Sequence, residues 1–187
     1  MIGENLITEY SGTTFSVTKV NGVSKLTFAD SPNNYIVNDD HYGKIFMGDG
    51  LQLDEDNFYI GGSVQHKRIF EGIPDYPNVL VLGLGLGLLP QYIKENKSFV
   101  QVIDVVDNNQ ELIDYVDFID NSINVINADA YTYTPDKKYD LIIADLWWNF
   151  QITNENKEDL KTHYEPHINY NGRLYIPILP QSYIKVA

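Results

Sequence analysis

Residues 79–93, VLVLGLGLGLLPQYI, constrain the fold of this chain more than any other stretch. A continuous apolar run leads into Gly83, Gly85 and Gly87, and a short helical pattern with Pro90 in its first turn follows. Such a run is typical of a strand buried on both faces. Three glycines weaken a strand, so they must serve another purpose. They allow the backbone to approach a phosphate or a nucleoside closely, or they fit a crowded packing corner.

Strand and helix patterns alternate through the rest of this half of the chain. Further strand patterns lie at 98–107, 123–131, 139–148 and 172–179, and helical patterns lie at 109–119 and 154–168. This alternation is typical of crossover connections in a parallel sheet. We therefore predict an α/β fold with a mainly parallel sheet of five strands.

The preceding part of the chain has the pattern of antiparallel strands. Asn21-Gly22 is the favoured two-residue hairpin turn, and it separates two alternating segments. The predicted strands lie at 13–20, 23–30, 34–39 and 44–50.

These patterns divide the chain into two domains. We predict a small β-hairpin domain at 1–62 and a nucleotide-binding type of domain at 63–187. A linking helix is expected to begin after Ser63, whose hydroxyl would cap it.

Charge and composition exclude several classes of function. The chain has 13 basic and 26 acidic residues among 187, a formal net charge of −13, which disfavours nucleic acid and favours a cationic partner. It has no cysteine, so disulfides and thiolate metal sites are excluded. No secretory leader pattern and no apolar run of about 18 residues is present, so we expect a cytoplasmic protein without a membrane partner.

An acidic residue lies where a nucleoside site would require one. Asp107 follows Gly87 by twenty residues and ends the strand pattern at 98–107. In doubly wound sheets, an acid at this distance from the glycine turn binds ribose hydroxyls. The alternative is a glycine turn packed against a neighbouring helix, with Asp107 merely solvated.

The segments at 79–93, 105–113, 127–131 and 139–148 together resemble the successive motifs of class I S-adenosylmethionine-dependent transferases. Within that superfamily the chain is most similar to the spermidine synthases, which are aminopropyltransferases. VVDNNQELIDYV resembles their second-strand motif, and MGDGLQLDEDNFY at 47–59 resembles their DGxxQ-like segment with one residue fewer. The resemblance implies a Rossmann-like class I methyltransferase fold preceded by a small antiparallel β domain.

The same resemblance implies roles for residues around a nucleoside. Asp107 would hold the ribose hydroxyls, because a carboxylate accepts from two adjacent hydroxyls. Asp129 would accept the exocyclic amine of adenine, and Ala130 would provide a backbone contact beside it. Gln52 would reach the sulfonium ligand from the N-terminal domain, and Gly83, Gly85 and Gly87 would form the turn below it.

Catalytic roles follow from the resemblance in the same way. Asp145 would bind the ammonium of an acceptor amine and take its proton. The family has a second Asp three residues later, where this chain has Trp148. Trp147 or Trp148 would then face a cation, unless both tryptophans serve packing. Tyr59 matches a family tyrosine, but no acid follows it here.

The resemblance implies aminopropyl transfer from decarboxylated S-adenosylmethionine to a small cationic amine, with release of methylthioadenosine. Three alternatives stay open. They are a small-molecule methyltransferase that uses S-adenosylmethionine, an enzyme that cleaves it without an acceptor, and a catalytically silent protein that binds the nucleoside.

Two further expectations concern metal and assembly. His163 and His167 have the spacing of paired ligands, but Pro166 breaks the helix between them, so no metal is expected. Family members have seven strands, whereas only residues 180–187 follow the fifth strand pattern here. A truncated sheet with an exposed edge predicts a homodimer or a higher homo-oligomer.

Overall fold

A computed structural model describes residues 7–20, 23–29, 31–39, 76–146 and 153–176. The chain divides into two units, one comprising Met1–Ile73 with Ile178–Ala187 and the other comprising Pro74–Pro177. The predicted domain boundary at 62/63 lies outside the described residues and stays a prediction. Within the described parts of the chain, no helix is long and apolar enough to cross a membrane.

The first unit contains a four-stranded antiparallel sheet. Its strands, in the order β1-β2-β3-β4, are β1 (Tyr10–Ser11), β2 (Phe15–Val20), β3 (Val23–Phe28) and β4 (Ser31–Asp39). Val20 pairs with Val23, which confirms the predicted hairpin although the turn itself is not described. Phe15, Val17 and Leu26 are buried because the alternating pattern places apolar side chains on one face. The strand predicted at 44–50 lies outside the described residues.

The second unit contains the predicted α/β arrangement. Five parallel strands have the order β7-β6-β5-β8-β9. In chain order the elements are β5 (Asn78–Leu82), α1 (Leu88–Asn96), β6 (Val102–Asp107), α2 (Gln110–Tyr115), β7 (Asn124–Asn127), β8 (Tyr139–Ala144), α3 (Asn154–Tyr164), a 3₁₀ turn (Glu165–His167) and β9 (Ile168–Tyr175).

The sheet order follows from the apolar character of its strands. β5 is the central strand, and all four residues from Val79 to Leu82 are at most 1% exposed. One core cluster joins strands β5, β6 and β8 to helix α3 through the fully buried side chains of Leu160 and Tyr164. A strand apolar on both sides is stable only in such a covered position.

The last strand begins earlier than the sequence predicts. The pattern at 172–179 predicts a start at Gly172, whereas β9 already pairs through Ile168. Between Ile168 and Arg173 the strand bulges, and Asn171 adopts a φ of +68°. The bulge holds Tyr170 in solvent at 96% exposure. Asn171-Gly172 is typical of a turn, so the part of the strand before Gly172 was not predicted.

A buried carboxylate connects the strands towards their amino ends. Asp104 in β6 is 1% exposed and contacts the Lys137 Nζ at 2.7 Å. The Tyr139 hydroxyl donates to it at 2.5 Å and the Asn124 amide at 2.9 Å. Burial alone would raise the pKa of Asp104, but the hydrogen bonds from these three residues together lower it. Burial and the bond to Asp104 raise the pKa of Tyr139.

Candidate functional site

The candidate site lies at the carboxyl ends of the parallel strands. Strand order reverses between β5 and β8, because β6 follows on one side of β5 and β8 lies on the other. Ligands of open α/β sheets bind in the crevice at such a switch point. The turn after β5, Asp107 at the tip of β6 and Asp145 directly after β8 are all located there.

The three glycines all adopt positive φ, as the turn requires. At Gly83, with φ +97°, an added Cβ would collide with the backbone carbonyl oxygen of Asp145. At Gly87, with φ +73°, it would lie 2.5 Å from Val116 and 2.7 Å from Ile119. Gly85 has a φ of +53°. Close packing is therefore the immediate reason why Gly83 and Gly87 are glycines. The turn lies against the tip of β8 and against the segment that follows helix α2.

Asp107 fixes this turn to the tip of the neighbouring strand. One carboxylate oxygen accepts the Leu84 N–H at 2.9 Å, and the other accepts the Asn109 N–H at 2.9 Å. Its backbone carbonyl accepts the Ala128 N–H at 3.0 Å. Partial burial raises the pKa of Asp107, although both backbone N–H groups act against that rise. Through its carboxylate and its backbone carbonyl, Asp107 thus joins the segments that follow β5, β6 and β7.

Asp129 lies in a tight turn that follows β7. Its carboxylate accepts the Tyr131 N–H at 2.9 Å, and its carbonyl accepts the N–H groups of Thr132 at 3.0 Å and Tyr133 at 2.8 Å. The Asp129 side chain is exposed, whereas Ala130 is 5% exposed. The turn therefore directs an acidic side chain to solvent above a buried backbone.

Helix α3 contacts this turn at two points that sequence analysis did not identify. The Tyr164 hydroxyl donates to the Ala130 carbonyl at 2.6 Å, and His163 Nε2 lies 2.7 Å from the Tyr133 carbonyl. Because a carbonyl oxygen only accepts, the second contact requires a proton on Nε2. Tyr164 lies four residues after Leu160, and this spacing of two buried residues on a helix was the available signal.

The histidine pair does not converge on a common point. The His163 and His167 rings have centroids 6.5 Å apart, and His163 is already bound to the turn. Among the described residues, no group of three or more His, Cys, Asp or Glu side chains is arranged to hold a metal ion.

Five predicted site residues remain, and the structure describes one of them, Asp145. Asp145 lies directly after β8, is half-buried and donates its N–H to the Leu82 carbonyl at 2.8 Å. The other four, Gln52, Tyr59, Trp147 and Trp148, lie outside the described residues, and their roles stay predictions.

The described residues fit an adenine nucleoside by their chemistry. A carboxylate has about four acceptor positions, and two backbone N–H groups occupy two of those on Asp107. About two positions remain for the two hydroxyls of a ribose. Among the described residues, the second carboxylate oxygen of Asp129 has no hydrogen-bond partner, so it is available to an amine.

Comparison with known proteins supports the fold. The glycopeptide N-methyltransferase MtfA, solved with (S)-adenosyl-L-methionine, matches with a TM-score of 0.51 and 12% identity over 64% of this chain and 55% of that chain. The plantazolicin methyltransferase BpumL, solved with SAH, matches with a TM-score of 0.46 and 20% identity over 60% and 42%. An S-adenosylmethionine-dependent methyltransferase from Clostridium acetobutylicum ATCC 824 matches with a TM-score of 0.46 and 16% identity, over 60% of this chain and 46% of that chain.

The parallel sheet therefore has the Rossmann-like fold of the class I methyltransferases, as the sequence predicted. The chain spans about half the length of these structures. No protein-family model and no curated protein matches the chain. None of the three structures is a spermidine synthase, so the narrower resemblance stays a prediction.

Proposed function

We propose that this protein binds S-adenosylmethionine and transfers its methyl group to a small molecule. The observation that carries the proposal is the position of Asp107, which lies one strand from a glycine turn at the switch point of the sheet. MtfA, which has this fold, was solved with S-adenosylmethionine and acts as an N-methyltransferase. This replaces aminopropyl transfer, the first interpretation of the sequence, with its first alternative.

In this proposal Asp107 and the glycine turn hold the ribose. The carboxylate accepts from the two ribose hydroxyls while the Leu84 and Asn109 N–H groups keep its orientation. Charge-assisted hydrogen bonds of this kind are roughly twice as strong as neutral ones. Because the pKa of Asp107 is raised, this carboxylate takes up a proton at a higher pH than an ordinary aspartate does. Nucleoside affinity should therefore begin to decline at that higher pH as the solution is acidified.

The turn after β7 binds the adenine ring. Asp129 accepts from the exocyclic amine, and the Ala130 backbone lies beside the ring edge. Both groups are held by the hydrogen bonds within the turn, so little conformational entropy is lost when the base binds.

Asp145 serves the acceptor molecule. The positively charged sulfur of the bound co-substrate already makes the transferred carbon reactive, so the protein mainly positions the acceptor and removes its proton. Asp145 follows β8, on the opposite side of the glycine turn from Asp107. An amine acceptor, which is cationic before it loses a proton, matches both this carboxylate and the chain's net charge of −13.

Aminopropyl transfer is a second candidate because specific sequence segments favour it. The segments at 47–59 and 105–113 resemble the spermidine synthases, and Gln52 within the first would cover the sulfonium ligand. In that case the co-substrate is decarboxylated S-adenosylmethionine and the released product is methylthioadenosine.

The two candidates differ in the nucleoside that should bind best, which can be measured without knowing the acceptor. Isothermal titration calorimetry with S-adenosylhomocysteine and with methylthioadenosine compares the two released products. Methyl transfer predicts at least about tenfold tighter binding of S-adenosylhomocysteine, since its amino-acid tail adds contacts. Tighter binding of methylthioadenosine would favour aminopropyl transfer, and binding of neither would contradict the nucleoside site.

A matched pair of variants tests Asp107 in the same assay. Asp107→Asn keeps the shape but presents an amide NH₂ to either the Leu84 or the Asn109 N–H, so we expect at least about a tenfold loss of affinity. Asp114→Asn is the control, because Asp114 is exposed on α2 and, among the described residues, accepts a hydrogen bond only from the Gln110 side chain. Equal affinities of the two variants would show that Asp107 does not hold the ligand.

A further inference from the structure

One peptide group links helix α3 to the carboxylate of Asp129. The peptide between Ala130 and Tyr131 accepts the Tyr164 hydroxyl on its carbonyl oxygen at 2.6 Å. The N–H of the same peptide donates to the Asp129 carboxylate at 2.9 Å. Three groups therefore form a continuous chain of hydrogen bonds from the helix to the acidic side chain.

The helical end of this chain is rigid. Tyr164 is 0% exposed and belongs to the core cluster that also contains Ala130 and Leu160. Helix α3 begins with a capping box in which Thr153 and Asn156 bond reciprocally, so its first turn is held as well. A tyrosine fixed on a packed helix can hold a peptide group in one orientation.

At the other end of this chain of hydrogen bonds, the Asp129 carboxylate is oriented by the Tyr131 N–H. A carbonyl that accepts a hydrogen bond polarises its peptide group, which strengthens the N–H as a donor. The Tyr131 N–H occupies one oxygen of Asp129 and leaves the other towards solvent. The direction in which Asp129 can accept is thus set by a residue that does not itself reach the solvent.

We propose that Tyr164 is a positioning residue for base recognition, which orients the Ala130–Tyr131 peptide and thereby directs Asp129 towards the exocyclic amine of adenine. The inference rests on the proposed function, because it assumes that an adenine nucleoside occupies the site. It assigns specificity for the 6-amino group to a hydroxyl in the protein core. A ligand with a 6-oxo group offers an acceptor instead of a donor and should be disfavoured.

The test compares two nucleosides that differ at position 6 and, as a consequence, at N1, which carries a proton in the 6-oxo form. S-Adenosylhomocysteine and S-inosylhomocysteine are titrated against the wild-type protein and Tyr164→Phe, and the ratio of the two dissociation constants is the readout. We expect the wild-type protein to prefer adenine and Tyr164→Phe to reduce that preference at least about fivefold. A loss of folded protein lowers the apparent affinity for both nucleosides together, and a control variant tests whether general loosening also changes their ratio.

Tyr139→Phe is the matched control. Tyr139 is also 0% exposed, and its hydroxyl also donates to a buried acceptor, the Asp104 carboxylate at the other end of the sheet. The variant Tyr139→Phe should have a lower melting temperature but keep the wild-type preference for adenine. If this control loses the preference as well, the effect is general loosening and the role of Tyr164 is wrong.

Failure of this inference is distinguishable from failure of the proposed function. If the wild-type protein binds and discriminates while Tyr164→Phe retains the full preference, only the positioning role is overturned. If the wild-type protein binds neither nucleoside, both proposals are overturned. Should Tyr164→Phe not fold, amide exchange of Tyr131 in the wild-type protein provides the test, because exchange at the rate of an unstructured peptide would contradict a fixed peptide group.

Discussion

At the scale of residues, the contact between Gly83 and Asp145 determines how tightly the candidate site is built. The backbone of Gly83 passes so close to the Asp145 carbonyl that no side chain fits between them. The Gly83 N–H donates to the Val106 carbonyl at 2.7 Å, so this glycine contacts the tips of both strands that flank β5. Any residue other than glycine would have to separate β5 from β8.

Replacement of Gly83 by alanine should therefore destabilise the protein strongly. We expect Gly83→Ala to lower the free energy of unfolding by at least about 2 kcal/mol, since it combines a strained φ with a collision against backbone. Gly85→Ala is the control, because a φ of +53° lies in the left-handed region and costs about 1 kcal/mol. Urea denaturation measures both, and an equal loss for the two variants would contradict this account of the turn.

At the scale of elements, the buried Asp104 joins strands β6, β7 and β8. Its carboxylate accepts from Asn124 in β7 and from Tyr139 in β8, and it pairs with Lys137 just before β8. The lowered pKa of Asp104 means that the folded state stabilises the charged form. This stabilisation is present above the ordinary carboxyl pKa of 3.8 and is lost as pH falls below it.

Removal of Lys137 should move acid unfolding to a higher pH. In Lys137→Met the carboxylate loses a hydrogen bond and a positive charge while its burial remains, so its pKa rises and it takes up a proton earlier. At pH 7 we expect a loss of about 1 kcal/mol, because water screens the half-exposed lysine. Lys138→Met removes the same charge from an exposed neighbour and should leave the midpoint of acid unfolding unchanged. Circular dichroism measures acid unfolding of both variants. Equal midpoints for the two variants would contradict this role of Lys137.

The elements also show what the sequence could predict. Strand β5 was correctly predicted because it is a continuous apolar run, and β6 because Val and Ile dominate it despite the buried Asp104. The hairpin of β2 and β3 was predicted because Asn21-Gly22 is a strong turn signal. Helix α2 ends at Tyr115, four residues before its pattern does.

The hydrogen bonds of the site were less accessible to sequence analysis. The position of Asp107 followed from its spacing, but its two backbone donors, Leu84 and Asn109, depend on how the turn after β5 folds back. The contact between Tyr164 and Ala130 joins residues 34 apart in sequence. Such a contact exists only after α3 has packed on the sheet, and no local pattern encodes it.

At the scale of the whole molecule, the sheet order explains why distant segments share one site. The order β7-β6-β5-β8-β9 places the tips of four strands in a row. These tips and the residues just after them carry Asp129, Asp107, Gly83 and Asp145. The expectation of a homo-oligomer came from the outer edge of this sheet and stays a prediction. In the described part of the chain, β7 and β9 are the outer strands.

A crystal structure of the protein with S-adenosylhomocysteine tests the central claim most directly. The account predicts that both ribose hydroxyls lie within about 3 Å of the Asp107 carboxylate, with the turn from Gly83 to Gly87 beneath the ligand. A nucleoside bound elsewhere on the sheet, or an empty crevice in crystals grown at a saturating concentration, would contradict it.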